Sequence, residues 1–398
     1  MKVRTTIGAI AALTLLSSTA MAEDLSVKIG VLNDQSGIYS DITGQGSVVA
    51  AKLAVEDFLA KNPGMKVEIV SADHQNKPDI ASNIARKWFD EDGVDMIADL
   101  PASSTALAVA EVAREKDKMV MVSGGGTSDL TGKNCSPNTI HWTYDTWALA
   151  YGTASAMVNE GMKKWFFITA DYAFGHALER DTSDLVKASG GEVVGAARYP
   201  YPGQDFSSYL LQAQQSGAQA IGLANAGGDF INSVKQAAEF GIVQGGQNLA
   251  GLLVFITDVH ALGLKDAQGL YLTEAFYWNQ NDKTRAWSDR YSKQMNGGKP
   301  SSAHAGVYAS VLHYLDAVKK ANSTDAKKVI AQLKSAPVED DLFGVSTVRP
   351  DGRVIHEMYL YKVKTPEEST GDWDYYNVAA TIPADKAFRP MDEKCNFQ

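Results

Sequence analysis

Two short runs of small, hydroxyl-rich residues have a pattern suited to holding an anion: Pro101-Ala102-Ser103-Ser104-Thr105 and Ser123-Gly124-Gly125-Gly126-Thr127-Ser128. Each follows an apolar run, and backbone N–H groups with hydroxyls at a helix start capture a carboxylate without Lys or Arg. Plain helix capping by Ser103, Ser104 and Thr127 is the competing reading of the same residues. Further along, Asp171-Tyr172-Ala173-Phe174-Gly175, Asn225-Ala226-Gly227-Gly228-Asp229 and Thr257-Asp258-Val259-His260 bring acidic, amide and aromatic groups to corresponding places. With Tyr39, Tyr144 and Trp147 they supply an apolar wall around a polar end, the usual composition of a small-molecule site.

Catalytic and cofactor signatures are missing from the sequence. Gly44 and Gly46 begin a dinucleotide-type glycine spacing that Val49 breaks, and there is no G-x-x-x-x-G-K-[ST], G-x-S-x-G or H-E-x-x-H. Asp258 and His260 offer two metal ligands without a third, so neither a metal nor a cofactor is expected. The alternative from another class is a hydrolase of a small amide or ester on an α/β fold. It would need a nucleophile with a base at a recognised spacing, which the chain lacks, so an enzyme is not expected.

The elements that must position these loops alternate β-rich runs with amphipathic helices, the signature of βαβ units on parallel sheets. A first series of strands is Val27–Leu32, Val67–Val70, Val94–Ala98 and Met119–Val122. A second is Trp165–Thr169, Glu192–Gly195, Ala220–Ala224, Leu252–Val254 and Leu270–Leu272. Between Val70 and Val94, Ile80, Ile84 and Trp88 share a helix face, with Asp79 as N-cap and Gly93 as stop. Helices at about 283–295, 303–320 and 325–335 follow, then a hairpin turning at Asp351-Gly352 and two final β-like runs, Met358–Val363 and Tyr375–Val378. The fold class is therefore α/β, in two doubly wound lobes with parallel-type sheets.

The 398 residues are 45% hydrophobic and 21% charged with a formal charge of −10, which fits two globular domains. That charge disfavours nucleic acid or an anionic membrane as partner and favours a small solute. Residues 1–22 read as a secretory signal: Lys2 and Arg4 precede an apolar stretch from Ile7 to Leu16, and Ala20-Met21-Ala22 is an A-x-A site cut after Ala22. That stretch is too short to span a bilayer, so no stable membrane insertion is expected. In an oxidising compartment Cys135 and Cys395, the two cysteines of the chain, are expected to pair.

Lys28–Leu32 with Ser36-Gly37, the Ala50–Phe58 helix, Ser103-Ser104-Thr105, the Gly124–Thr127 loop, and Asp171–Gly175 followed by Asp205-Phe206-Ser207 come in a characteristic order. In these motifs the chain resembles the periplasmic solute-binding proteins of ABC transporters of branched-chain amino acid (Leu/Ile/Val-binding) type, which have the type I periplasmic binding fold. The resemblance implies two lobes joined by three crossovers, near 143–146, 275–279 and 355–357. Lobe 1 would comprise 23–143 plus 279–355 and lobe 2 would comprise 144–278 plus 356–385, with the 386–398 tail returning to lobe 1. It also implies a periplasmic monomer that closes on a solute and docks on a membrane permease; a sensory role feeding a receptor is the related alternative. In amino-acid binders of the family the first-lobe hydroxyl loops hold the carboxylate. Ser103, Ser104 and Thr127 stand close to those positions, with Ala102 and Gly126 where a hydroxyl would be expected. Phe174 falls where a ligand-contacting Tyr is frequent, and Tyr39, Tyr144, Tyr172 and Asn225 complete the implied ligand set. Asp258 is the nearest candidate partner for an ammonium, but Leu253–Asp258 does not resemble the family's acidic loop, so an aromatic or other organic acid is expected alongside a branched-chain amino acid.

Overall fold

A computed structural model describes residues 25–395 and 397, so the signal reading of residues 1–22 lies outside the described residues. The first half of one lobe is a βαβ series: β1 (Ser26–Asn33), α1 (Gly44–Lys61), β2 (Lys66–Asp73), α2 (Pro78–Asp90), β3 (Met96–Asp99), α3 (Ser103–Glu115), β4 (Met119–Val122) and β5 (Thr139–His141). The five strands form a parallel sheet in the order β2-β1-β3-β4-β5. β3 and β4 are buried on both faces because helices cover both, which is why they read as unbroken apolar runs. In α2 the cap differs from expectation. Pro78, whose ring fixes a helical φ, takes the first helical position after Lys77, so Asp79 lies inside the first turn and Ala81, Ala85, Trp88 and Phe89 form the buried face.

The chain then crosses to a second lobe: α4 (Thr146–Asn159), β6 (Lys164–Ala170), α5 (Ala173–Ala188), β7 (Glu192–Tyr199), α6 (Ser207–Gln215), β8 (Ala220–Ala224), α7 (Gly227–Glu239), β9 (Asn248–Gly251), α8 (Ile256–Leu262), α9 (Leu264–Ala267) and β10 (Tyr271–Glu274). Strands β7-β6-β8-β9 form its parallel sheet. Leu252–Val254, expected as a strand, is instead the loop after β9; it is apolar because it is buried, Leu253 on the cavity and Val254 in the second-lobe core, not because it pairs. After β10 the chain returns to the first lobe through α10 (Asp282–Gln294), α11 (Ser302–Ala321) and α12 (Ala326–Lys334), and α11 packs along α1. β11 (Val338–Asp340), β12 (Gly344–Val348) and β13 (Val354–Ile355) make a small antiparallel sheet whose last turn is the Asp351-Gly352 hairpin. A third crossing leads to β14 (Met358–Val363) and β15 (Tyr376–Ile382), which add antiparallel strands beside β10, and then to α13 (Ala384–Ala387).

Arg353, wholly buried, ties the first and third crossings together. It donates to Tyr144 O at 2.8 Å, to Val354 O at 3.0 Å and to Trp142 O, and its guanidinium lies 3.7 Å from Asp145. Burial pulls its pKa down to about 10, so it stays charged at neutral pH. Cys135 and Cys395 form the expected disulfide, with Cα atoms 5.9 Å apart. Among the described residues no helix is long and apolar enough to cross a membrane and no group of acidic, His or Cys side chains could hold a metal.

Candidate ligand cleft

The carboxyl ends of both parallel sheets face each other across an interlobe cavity with only about 10 Å³ of open space, room for at most about one water, so its walls are closed on one another. Tyr39 and Ile42 reach it from the loop after β1, Pro101 from the end of β3, Gly124 from the end of β4 and Tyr144 from the first crossover. Tyr172 and Phe174 come from the end of β6, Ala226 from the end of β8 and Leu253 from the loop after β9. This is where open α/β sheets bind ligands. Four of these residues are aromatic and none carries a charge.

The lobes touch around the cavity. Gly228 N–H, at the start of α7, donates to Ile38 O at 3.1 Å, and the hydroxyls of Tyr39 and Tyr172 share a hydrogen bond of 2.5 Å. Tyr201 stacks on Tyr172 with ring centroids 4.0 Å apart. On the other side, Ser128 Oγ donates to Asp181 Oδ2 at 2.7 Å and Arg180 lies 3.1 Å from Asp129. The loop carrying Tyr39 is shaped by Asp34, whose carboxylate accepts from the N–H groups of Gly37 and Tyr39 at 2.7 and 2.9 Å.

Of the residues expected from sequence, Tyr39, Tyr144, Tyr172 and Phe174 line the cavity. Gly126 sits directly behind it: a Cβ there would lie 2.9 Å from the Phe174 ring and 3.2 Å from the Tyr144 ring. The others stand back. Ser103 Oγ accepts from Thr127 N–H at 3.1 Å and so ties the α3 start to the loop after β4, while Thr127 Oγ1 accepts from Asp129 N–H at 3.3 Å and caps the turn at Ser128–Thr131 within that loop. Ala102 is buried and its carbonyl accepts from Thr105 Oγ1 at 2.7 Å, while Ser104 is half-buried at the second position of α3. Asn225 is buried with its amide on Ser233 Oγ, and Asp258 caps α8 by accepting from Phe255 N–H at 2.8 Å.

Burial raises the carboxyl of Asp258 to about 7 and that of Asp99 to about 7, and lifts the Tyr144 hydroxyl well above its ordinary value. Tyr144 O–H donates to Gly124 O at 2.5 Å, which fixes its ring against the cavity. Sequence reading missed Asp34, Ile42 and Leu253 as shapers or walls of the cleft, and it named the runs that hold Pro101, Gly124 and Ala226 without picking out those residues. Asp34-Gln35-Ser36-Gly37 carries an Asx-turn signal that marks the first of these. The remaining wall residues are apolar or small and bear no local mark.

A model for the family described as periplasmic binding protein matches residues 26–372. The chain is 53% identical to a periplasmic binding protein from Burkholderia mallei, with a TM-score of 0.89 over 92% of this chain and 96% of that one. It is 42% identical to a branched chain amino acid ABC transporter periplasmic ligand-binding protein from Burkholderia xenovorans, with a TM-score of 0.81 over 92% and 97% of the two chains. A curated relative, Leu/Ile/Val-binding protein homolog 6 of Brucella melitensis, is 26% identical over 384 residues, covering 93% of this chain and 94% of the relative.

Proposed function

The chain belongs to the periplasmic binding protein family, whose members bind and do not transform their ligands, and from that premise we propose that it is the solute-binding component of an ABC importer. In this reading it acts in the periplasm as a monomer, after removal of residues 1–22. The lobes are 23–143 with 279–355 and 144–278 with 356–385, and residues 386–398 form the tail. The solute is a small carboxylate with a flat aromatic or branched apolar body. The observation that carries this is the cavity wall: Tyr39, Tyr144, Tyr172 and Phe174 with no charged side chain among the lining residues. The carboxylate is met by N–H groups at the starts of α3 and α5 and by the remaining hydroxyl proton of the Tyr39–Tyr172 pair, which need no cation.

Asp258 is engaged by Phe255 N–H and does not line the cavity, so nothing on the wall neutralises an ammonium. This favours an organic acid without an amino group. The name of the Burkholderia xenovorans relative supports a branched-chain amino acid as the second reading. Binding shifts an open-to-closed equilibrium through the three crossovers, and the closed form presents both lobes to the permease.

Thermal-shift and calorimetric titration with benzoate, 4-hydroxybenzoate, leucine and valine test the solute. A ligand at 100 times its Kd adds about 2.7 kcal/mol to stability. Stabilisation by leucine or valine with none by the aromatic acids overturns the preference for an organic acid. Small-angle scattering tests the mechanism: the radius of gyration falls when the identified solute binds, and an unchanged radius at saturation removes hinge closure.

A further inference from the structure

Three covalent crossings join the lobes, and the C-terminal tail adds a fourth connection. It leaves β15, which pairs with β14 in the second lobe, and passes through α13, which packs on both α4 and β13. Phe388 then covers the crossover hub, lying 4.6 Å from the Arg353 guanidinium and 5.4 Å from the His356 ring. Arg389 reaches the first lobe, donating to Ser128 O at 2.7 Å, and its own carbonyl accepts from Arg349 at 2.8 Å. The strap ends at Cys395, bonded to Cys135 in the first-lobe loop after β4.

The position of the first-lobe anchor matters. Ser128, held by Arg389 through its carbonyl, is the residue whose hydroxyl donates to Asp181 of α5 in the second lobe, and Asp129 beside it pairs with Arg180. Those contacts bridge lobes beside the first crossover, where Thr146 Oγ1 accepts from Ser128 N–H at 3.0 Å and donates to Asp181 Oδ2 at 2.6 Å. The strap therefore passes from one lobe to the other next to the hinge. Arg389 and Cys395 are both held on the first lobe, so the stretch that spans the lobes runs from Ile382 at the end of β15 to Arg389, about 25 Å at most when fully extended, and the disulfide removes the free end that would otherwise let the tail peel away.

We propose that this disulfide-anchored strap is a tether that limits how far the ligand-free cleft opens, and that cleaving Cys135–Cys395 releases it. The aperture of the resting protein, and with it solute affinity, would then depend on the redox state of a bond remote from the cavity. This rests on the hinge-closing function proposed above. A more open resting state makes closure more costly, so affinity falls several-fold when the bond is lost.

The test compares three solute-free proteins by small-angle scattering: the wild type, C135S/C395S, and a variant with a short Gly-Ser-Gly-Ser insertion between Ala387 and Phe388. The insertion keeps the disulfide and adds slack, so it reports on the tether even where the double serine variant does not fold. Both variants are expected to show a larger radius of gyration than the wild type, with unchanged far-UV circular dichroism. Equal radii in a folded insertion variant with its disulfide intact overturn the proposal. Because the comparison uses no solute, its failure is distinct from a failure of the wild type to compact on ligand binding.

Discussion

Gly126 and Ser103 belong to the same wall of the cleft and fail in different ways when altered. In Gly126→Ala the new methyl meets the Phe174 and Tyr144 rings at 2.9 and 3.2 Å, so it pushes cavity-lining aromatics inward. We expect at least a roughly 10-fold loss of affinity by calorimetry, equivalent to about 1.4 kcal/mol, with the melting temperature little changed; retained affinity would mean that the rings yield. Ser103→Ala does the opposite. It strands the buried Thr127 N–H without its acceptor, a loss of about 1–3 kcal/mol in urea unfolding. An unchanged stability would free the Ser103 hydroxyl to serve the ligand after all. The hydroxyl-rich loops were legible in sequence as places, because Ser and Thr beside glycines mark helix starts. The direction of their bonds was not legible, since Thr127 and Ser103 are brought together only by the pairing of β3 with β4.

At the scale of elements, the end of β10 and the start of α11 share a buried carboxyl. Glu274 accepts from Tyr376 O–H at 3.0 Å and from Ser302 N–H at 3.4 Å, and burial raises its pKa to about 8. Asp99 and Asp258 are raised to about 7, while burial draws His74, His304 and His356 down to about 4. Between about pH 4 and 6.5 the folded acids hold extra protons and the folded histidines lack them, so the two sets oppose each other. Above about pH 6.5 the histidines are neutral in both states and only the acids differ. The folded state then binds more protons than the unfolded one, and stability falls as pH rises through about 7 and 8. Melting temperatures measured from about pH 6.5 to 8.5 should decline, and Glu274→Gln should flatten the decline; an equal slope in both proteins sinks this role for Glu274. The elements themselves were largely readable. β4, β8 and β14 appear at the bounds their apolar runs announce, and β4 and β8, buried on both faces, need no alternation. β5 is only Thr139–His141, too short to leave a pattern, and Leu252–Val254 imitated a strand because burial of a loop selects the same residues that sheet burial does.

For the molecule as a whole, the link between lobes depends on one cation. Arg353→Met would leave Asp145 without its counter-charge and the Tyr144 carbonyl without its donor, so about 3–5 kcal/mol of stability should be lost in urea unfolding. A loss under about 1 kcal/mol would mean that the crossings hold each other without it. No sequence signal marked Arg353 for this role; its partners lie some 210 positions away in the chain. The packing of α11 along α1 has a consequence for how the protein comes into being. α1 ends at Lys61 and α11 begins at Ser302, so a chain growing from its N-terminus exposes the apolar side of α1 long before the helix that covers it exists. At roughly 5–20 residues per second, that interval lasts on the order of 10–50 s. The second lobe waits longer still, since β14 and β15 are among the last segments made. Neither lobe can be completed during most of synthesis, and the nascent chain stays loosely folded until its final residues emerge.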